Sequence, residues 1–518
     1  MIRESFSSKN NNLNNLSEIT TIAKGAGIVF FGTLLGTGLK YLFELIIARD
    51  LGPKSFGIFF LGFTIFKILE RVSTVGLPNG VLRYVALYKG IEDRERIKGT
   101  IVLSIKIVLI MGGIIAVFII IFSSTISVNL FHESNLSLIL KIFGAGIMFT
   151  ALTEILVFST QAFQIMKYKV MVRMIIEPGS RFFLVIIFFL LGWKLIGAGV
   201  SFLISLIIGT FLAFYYLKKT FPLITEKEIS PIYETKSILH FSWPLFFVGF
   251  FDIFIFHINT LMLGHFKTSQ EVGIYGAAQR TAFLIPIVLN AFNAIFAPMI
   301  ADFYHRGEYK KLESLFKIVT KWVFTVSFPV FLLVVFFAKE ILSLWGKEYI
   351  AGAICLIVIC GAQLINCSVG SVGYMIMMTG RTEINLLNTI IVLAMTISLN
   401  LLLIPKFGIL GAALSLAIAI GTINTIRLIE VYLILKIHPY KVDFLKPLIA
   451  GISSLFIMFI IKGYLLKIES LIIFLASNTL IFILIYGLVL YAFKMSKEDK
   501  IVIDKIKSKL IPKNRWNE

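Results

Sequence analysis

The sequence predicts an all-α integral membrane protein with about fourteen spanning helices, arranged as two pseudo-symmetric six-helix lobes plus two C-terminal helices. Three observations carry this: the composition, the spacing of the apolar runs, and an internal repeat. Of 518 residues, 58% are apolar, 14% aromatic and only 15% charged, with a mean hydropathy of +0.91. Soluble domains average about 45–50% apolar and about 25% charged, so a water-soluble chain of this composition would expose large apolar patches.

A spanning helix needs about 20 mainly apolar residues. Such runs lie near 25–48, 55–77, 98–122, 138–160, 174–192, 195–217, 238–264, 272–297, 317–338, 350–378, 384–404, 408–435, 444–463 and 469–492. Two more polar pieces, 79–92 and 299–313, follow Pro78 and Pro298 and read as amphipathic helices lying along the membrane surface. The start, MIRESFSSKNNNLNNLSEIT, lacks the apolar core and cleavage site of a signal peptide and reads as a polar cytoplasmic tail. With that tail inside, roughly 30 Lys and Arg fall on the inner side, in segments such as QIMKYKVMVR and FYHRGEYKKLE, against about 10 outside. The formal net charge of +20 is thus sorted by membrane side and calls for no nucleic acid. The expected organisation is a tail (1–23), an N-lobe (24–217), a linker (218–237), a C-lobe (238–436), the final helix pair (437–493) and a basic cytoplasmic tail (494–518). The outer loops are all short.

The repeat accounts for a helix-breaking charged stretch, ARDLGPKSFG, set between two apolar runs. Superposing 46–92 on 260–309 aligns LGPKSFGIF with FKTSQEVGIY, Gly57 with Gly273 and Pro78 with Pro298. GWKLIGAGVSFLIS (192–205) likewise matches KFGILGAALSLAIA (406–419), at an offset of about 215 residues. Two halves starting on the same side imply a pseudo-twofold axis along the membrane normal, the plan of an alternating-access transporter. Each stretch then reads as a tight outer hairpin, with Arg49, Asp50 and Lys54 at headgroup level.

The six-plus-six-plus-two pattern and the stretch KGAGIVFFGTLLGTGLKYLFELIIARDLGPKSFGIFFLG resemble the polysaccharide-biosynthesis, Wzx-type flippases of the multidrug/oligosaccharidyl-lipid/polysaccharide (MOP) exporter superfamily. The resemblance implies a MATE-like fold, and transfer of a polyprenyl-phosphate- or pyrophosphate-linked oligosaccharide from the cytoplasmic to the outer leaflet of the cell membrane. It implies a monomer that hydrolyses no nucleotide; the sequence has no GxxxxGK[ST] loop. Proton or Na⁺ coupling is open, and an extra helix pair is associated in relatives with a lipid-tail groove. No cofactor, metal or catalytic residue is expected.

Charges deep in apolar helices cost at least about 2.5–3.5 kcal/mol and mark functional candidates. Lys40, Lys67, Asp252 and Arg280 sit deep in helices 1, 2, 7 and 8, the helices that the resemblance places around the central cavity. Lys and Arg suit a phosphate, so Lys40, Lys67 and Arg280 are the substrate-binding candidates. Asp252 could bind an ion or act as a counter-ion to Arg280. Glu44, Glu154 and Arg427 are secondary candidates. Intrahelical pairing competes: Lys40 with Glu44, Lys67 with Glu70, Glu177 with Arg181 and Arg427 with Glu430 all have the spacing, and Arg71 reads as snorkelling to the interface. His257 reads as a packing residue, and Cys355, Cys360 and Cys367 as small buried hydrophobes. Pro244, Pro286 and Pro329 interrupt helices and could serve bending or packing.

Three alternatives stay open. A cation-coupled multidrug antiporter would favour an acidic cavity, whereas the deep charges here are mostly basic. A lipid II flippase would meet the same pyrophosphate. A membrane glycan polymerase or ligase would need an external loop bearing catalytic groups, which the sequence lacks.

Overall fold

A computed structural model describes the backbone of residues 2–226, 228–465 and 470–493 and, within these, the side chains of 31–226, 228–461 and 470–493. The predicted basic tail, 494–518, lies outside the described residues. All regular structure among the described residues is helical. Eleven described helices are long and apolar enough to cross a membrane, so the chain is a multi-pass membrane protein. The expected count of fourteen is not reached by this measure. The remaining expected runs, 25–48, 55–77 and 174–192, fall on a bent helix and on a helix interrupted by a π turn.

By contact the chain divides into two compact units, residues 1–276 and 277–518. The first begins with α1 (Ile2–Thr74), which bends at Gly52. Gly52 has φ 73° and ψ 175°, a conformation that favours glycine, and Pro53 then opens the second arm. This is the turn expected at ARDLGPKSFG. A second left-handed residue, Gly76, separates α1 from α2 (Leu77–Gly90). As expected for an amphipathic helix, α2 buries Leu77, Val81, Val85 and Tyr88 along one side. There follow α3 (Arg94–Thr125), extended by a π turn to Leu130, and α4 (Leu136–Ala162); then α5 (Met166–Val170), a π-helical stretch Met171–Ile176, and α6 (Glu177–Leu190). The unit continues through α7 (Lys194–Thr220) and α8 (Thr235–Phe266) into the start of α9 (Ser269–Ala282). The helix α8 packs on α1 and α2.

Lipid tails are as apolar as leucine, so interlocking shape rather than water exclusion holds spanning helices together. Phe59, Phe66, Phe143 and Phe202 supply that shape between α1, α4 and α7, with Phe66 and Phe202 edge to face at 5.0 Å. Each such pair contributes about 0.5–1.5 kcal/mol.

The second unit comprises the end of α9, α10 (Ile287–His305), α11 (Tyr309–Phe336), α12 (Ala338–Ser343), α13 (Ala353–Val369), α14 (Val372–Met378), α15 (Thr382–Phe407), α16 (Ile409–Leu435), α17 (Leu445–Leu465) and α18 (Leu471–Ala492). Phe324, Phe328, Phe337, Met458, Phe474 and Phe482 form its core between α11, α17 and α18. Cys355, Cys360 and Cys367 are buried as expected.

Two readings need correction. The piece 299–313 is not a separate surface helix: Pro298 lies inside α10, which runs on to His305 before Gly307, at φ 71°, turns the chain into α11. The expected span 272–297 is not one helix either. It breaks into α9 and α10 at residues 283–286, where Pro286 offers no amide donor to continue α9. Pro244 and Pro329, in contrast, lie within unbroken α8 and α11.

Candidate functional site

The first unit gathers eight charges from α1, α4, the π-helical stretch and α6. Arg173 stands at the centre. Its Nη2 donates to Glu154 Oε1 at 2.7 Å, and its Nη1 reaches both Glu177 oxygens at 3.0 and 3.1 Å. It also donates to the Thr150 carbonyl at 3.1 Å and lies 3.9 Å from Glu70 Oε1. One residue per turn wider than an α-helix, the π turn carries Arg173 across to α4 while leaving Glu177 one turn away on its own helix.

Glu70 joins the two halves of the cluster. Its Oε2 accepts from Lys67 at 2.5 Å and its Oε1 from Thr150 at 2.6 Å. The predicted Lys67–Glu70 pair is therefore present. The predicted Glu177–Arg181 pair is replaced: Glu177 takes Arg173, and Arg181 donates Nε to Ser205 Oγ at 3.2 Å with its guanidinium 4.0 Å from the Phe202 ring centre. Arg181 still lies within electrostatic reach of Glu177 and of Glu44, and Lys40 within reach of Lys67, Arg181, Glu177 and Arg173.

Four cations (Lys40, Lys67, Arg173, Arg181) and four carboxylates (Glu44, Glu70, Glu154, Glu177) make up this cluster, with Lys169 at its edge within electrostatic reach of Glu154 and Arg173. Burial divides the cluster by depth and not by sign, with Glu44 and Arg181 both 8% exposed. The side chains of Glu70 and Glu177 are 11% and 5% exposed, that of Arg173 11% and that of Lys67 32%. Lys40 is exposed on α1. Glu44, Glu70, Glu177, Arg173 and Arg181 thus form the buried back of the cluster, and two lysines its accessible front, with Glu154 partly accessible at 27%.

Of the predicted residues, the structure brings together Lys40, Lys67, Glu44 and Glu154. Asp252 is exposed on α8, three residues beyond Gly249. The guanidinium of Arg71, expected to snorkel, instead packs directly on Gly249, where a methyl group would collide with it. His257 is buried beside Phe256, as a packing residue. Arg280, partly buried on the last turn of α9, belongs to the second unit. So does Arg427, which donates to Asn385 at 3.2 Å, while Asn388 donates to Glu430 at 2.8 Å; both links run between α15 and α16.

The family follows from comparison. A profile described as polysaccharide biosynthesis protein matches residues 22–304, more than half of the chain. The chain belongs to that family. A second profile, MatE, matches residues 244–402. The probable low-salt glycan biosynthesis flippase Agl15 of Haloferax volcanii is 22% identical over 414 residues, covering 78% of this chain and 82% of its own. The solved structure of the lipid II flippase MurJ in an inward closed conformation matches at a TM-score of 0.68 and 18% identity, covering 91% of this chain and 98% of MurJ. An inward-facing multidrug resistance MATE family transporter of the MOP superfamily matches at 0.69 and 19%, covering 77% of this chain and 94% of that one. The fold is therefore MATE-like.

Sequence reading missed the centre of the cluster. Arg173 ends QIMKYKVMVR, a segment assigned to the inner side from the distribution of Lys and Arg. The Arg173–Glu177 spacing of i,i+4 was the available signal.

Proposed function

We propose that this protein is a transporter, not an enzyme: a flippase moving a polyprenyl-phosphate- or pyrophosphate-linked oligosaccharide from the cytoplasmic to the outer leaflet of the cell membrane. Both termini would then be cytoplasmic, with α1–α7 and α8–α16 as the two lobes and α17–α18 appended. The observation that carries the reading is the placement of Lys40 and Lys67 in front of buried carboxylates. A cationic front on a pinned charge network replaces water around a phosphate while the rest of the network stays fixed. Family membership and the similarity to a named glycan flippase support the same substrate class. Arg280 serves as a third substrate cation, and Asp252, exposed on α8, as the group that couples a proton or Na⁺ to the cycle.

The test is rescue of surface glycan in a strain lacking its own oligosaccharide flippase, comparing wild type with Lys40→Ala, Lys67→Ala and Arg280→Ala at matched membrane levels. Rescue by wild type and loss in the lysine variants supports the reading. Rescue by all four removes the site. Rescue only of a lipid II flippase deletion transfers the protein to that substrate.

A further inference from the structure

The second unit carries a cavity unrelated to the charge cluster. Along the first three turns of α11, Lys310, Glu313, Lys317 and Lys321 line one side; Lys441, Asp443 and Phe444, just before α17, line the other. The cavity is open on one side and has a volume of about 270 Å³. Its lining holds four lysines and two carboxylates. Each carboxylate already has a cation: Lys317 reaches Glu313 at 2.6 Å, and Lys446, from α17, reaches Asp443 at 2.8 Å. The cavity as a whole is positive.

An apolar path leads away from it. Phe444 stacks on Phe324 at 4.4 Å, at the head of the core between α11, α17 and α18. On α17 itself, Leu445, Ile449, Ile452, Phe456 and Phe459 are all exposed, a stripe with helical spacing. At 1.5 Å per residue that stripe runs for about 20 Å, enough to cross one leaflet's hydrocarbon of about 15 Å. A charged pocket heading an exposed apolar track is the chemistry of an amphiphile, not of a soluble anion.

The repeat sharpens the point. Lys106 stands 215 residues before Lys321, the offset of the two halves. In the first unit the chain fills the corresponding ground with itself. Lys106 lies 3.3 Å from Tyr233 Oη, Gly99 packs on Ile232, and Lys98 donates to the carbonyls of Glu226 and Ile229. At α11 the corresponding ground is a cavity.

We propose that this cavity binds the phosphate headgroup of an anionic phospholipid of the bilayer, with its acyl chains along the exposed face of α17. The lipid is a resident of the second unit, separate from the transported substrate and independent of the function proposed above.

The full chain in detergent would be titrated with phosphatidylglycerol, phosphatidylcholine, glycerol phosphate and a polyprenyl phosphate, with binding read by native mass spectrometry. Phosphatidylglycerol should bind at least about tenfold more tightly than phosphatidylcholine, and more tightly than glycerol phosphate. Each lysine near an anionic headgroup contributes roughly fivefold. The triple variant Lys310→Gln/Lys321→Gln/Lys441→Gln should therefore lose most of the preference, and the corresponding triple arginine variant should keep it. Asp443→Asn, which removes a negative charge from the lining, should tighten binding and so tests the site even if the glutamine triple fails to fold. Equal binding of the two phospholipids, an unaffected glutamine triple, or glycerol phosphate binding as tightly as the lipid would overturn the proposal. Preference for the polyprenyl phosphate would reassign the cavity to the substrate.

Discussion

Gly57 and Gly273 meet across the contact between the two hairpins: a Cβ on Gly57 would lie 2.8 Å from the Gly273 nitrogen, and one on Gly273 would lie 3.0 Å from the Gly57 nitrogen. These are the two residues that the internal repeat aligns, so equivalent positions of the repeated sequence touch each other. The nearest obstacles are backbone, the carbonyl oxygens of Ser269 and Pro53, which cannot rotate away as a side chain would. Neither glycine has a positive φ, so space alone demands them.

Gly57→Ala and Gly273→Ala should each therefore destabilise the protein by about 1–3 kcal/mol through overpacking. Gly113→Ala on α3, with nothing within 4 Å of the added methyl, should be neutral or slightly stabilising. Thermal unfolding in detergent ranks the three. Equal midpoints would show that the hairpins separate freely.

Arg173→Met should be the most damaging single change in the charge cluster. It strips the shared cation from Glu154 and Glu177 and weakens the setting of Glu70, at a cost of about 3–5 kcal/mol typical of breaking a buried pair. Lys40→Ala, at the accessible front, should leave stability within about 0.5 kcal/mol of wild type. Thermal midpoints at matched expression check this. A Lys40 variant as unstable as the Arg173 variant would make Lys40 part of the scaffold.

How much of this was legible beforehand depends on the kind of information each feature needs. The apolar runs and the break at Gly52–Pro53 follow from local composition and backbone sterics, which the sequence states outright. Lys40, Lys67, Glu44 and Glu154 were legible because a charge deep in an apolar run is conspicuous. Arg173 was hidden by its neighbours: Lys167 and Lys169 make its segment look like a loop, and only the π turn places it against α4. Thr150 was invisible, since a threonine in a spanning helix is ordinary until a carboxylate is found 2.6 Å from it. The pairing of the charges, unlike the charges themselves, is a property of three dimensions.

Glu133, in the connector between α3 and α4, ties the two hairpins together. Its Oε2 lies 3.7 Å from Lys54 Nζ, beside the Gly52 bend, and accepts from Ser269 Oγ at 3.2 Å, at the start of α9. Close by, His265 Nδ1 meets the Leu130 carbonyl at 2.7 Å. Lys54 is 66% exposed, so the ion pair contributes little and the hydrogen bond to Ser269 carries most of the link, about 1 kcal/mol in all. A link of that size, made only while the hairpins touch, sets their opening equilibrium: removing it should raise the open fraction roughly fivefold. Val272, fully buried next to Gly273, reports the opening. In a Val272→Cys background, with Cys355, Cys360 and Cys367 all buried, maleimide labelling should run roughly fivefold faster with Glu133→Ala than without it. Glu133→Gln, which keeps an acceptor for Ser269 and discards the charge, should stay close to the parent. If Gln matches Ala instead, the ion pair with Lys54 holds the hairpins, and adding salt to the parent should speed its labelling to the same degree.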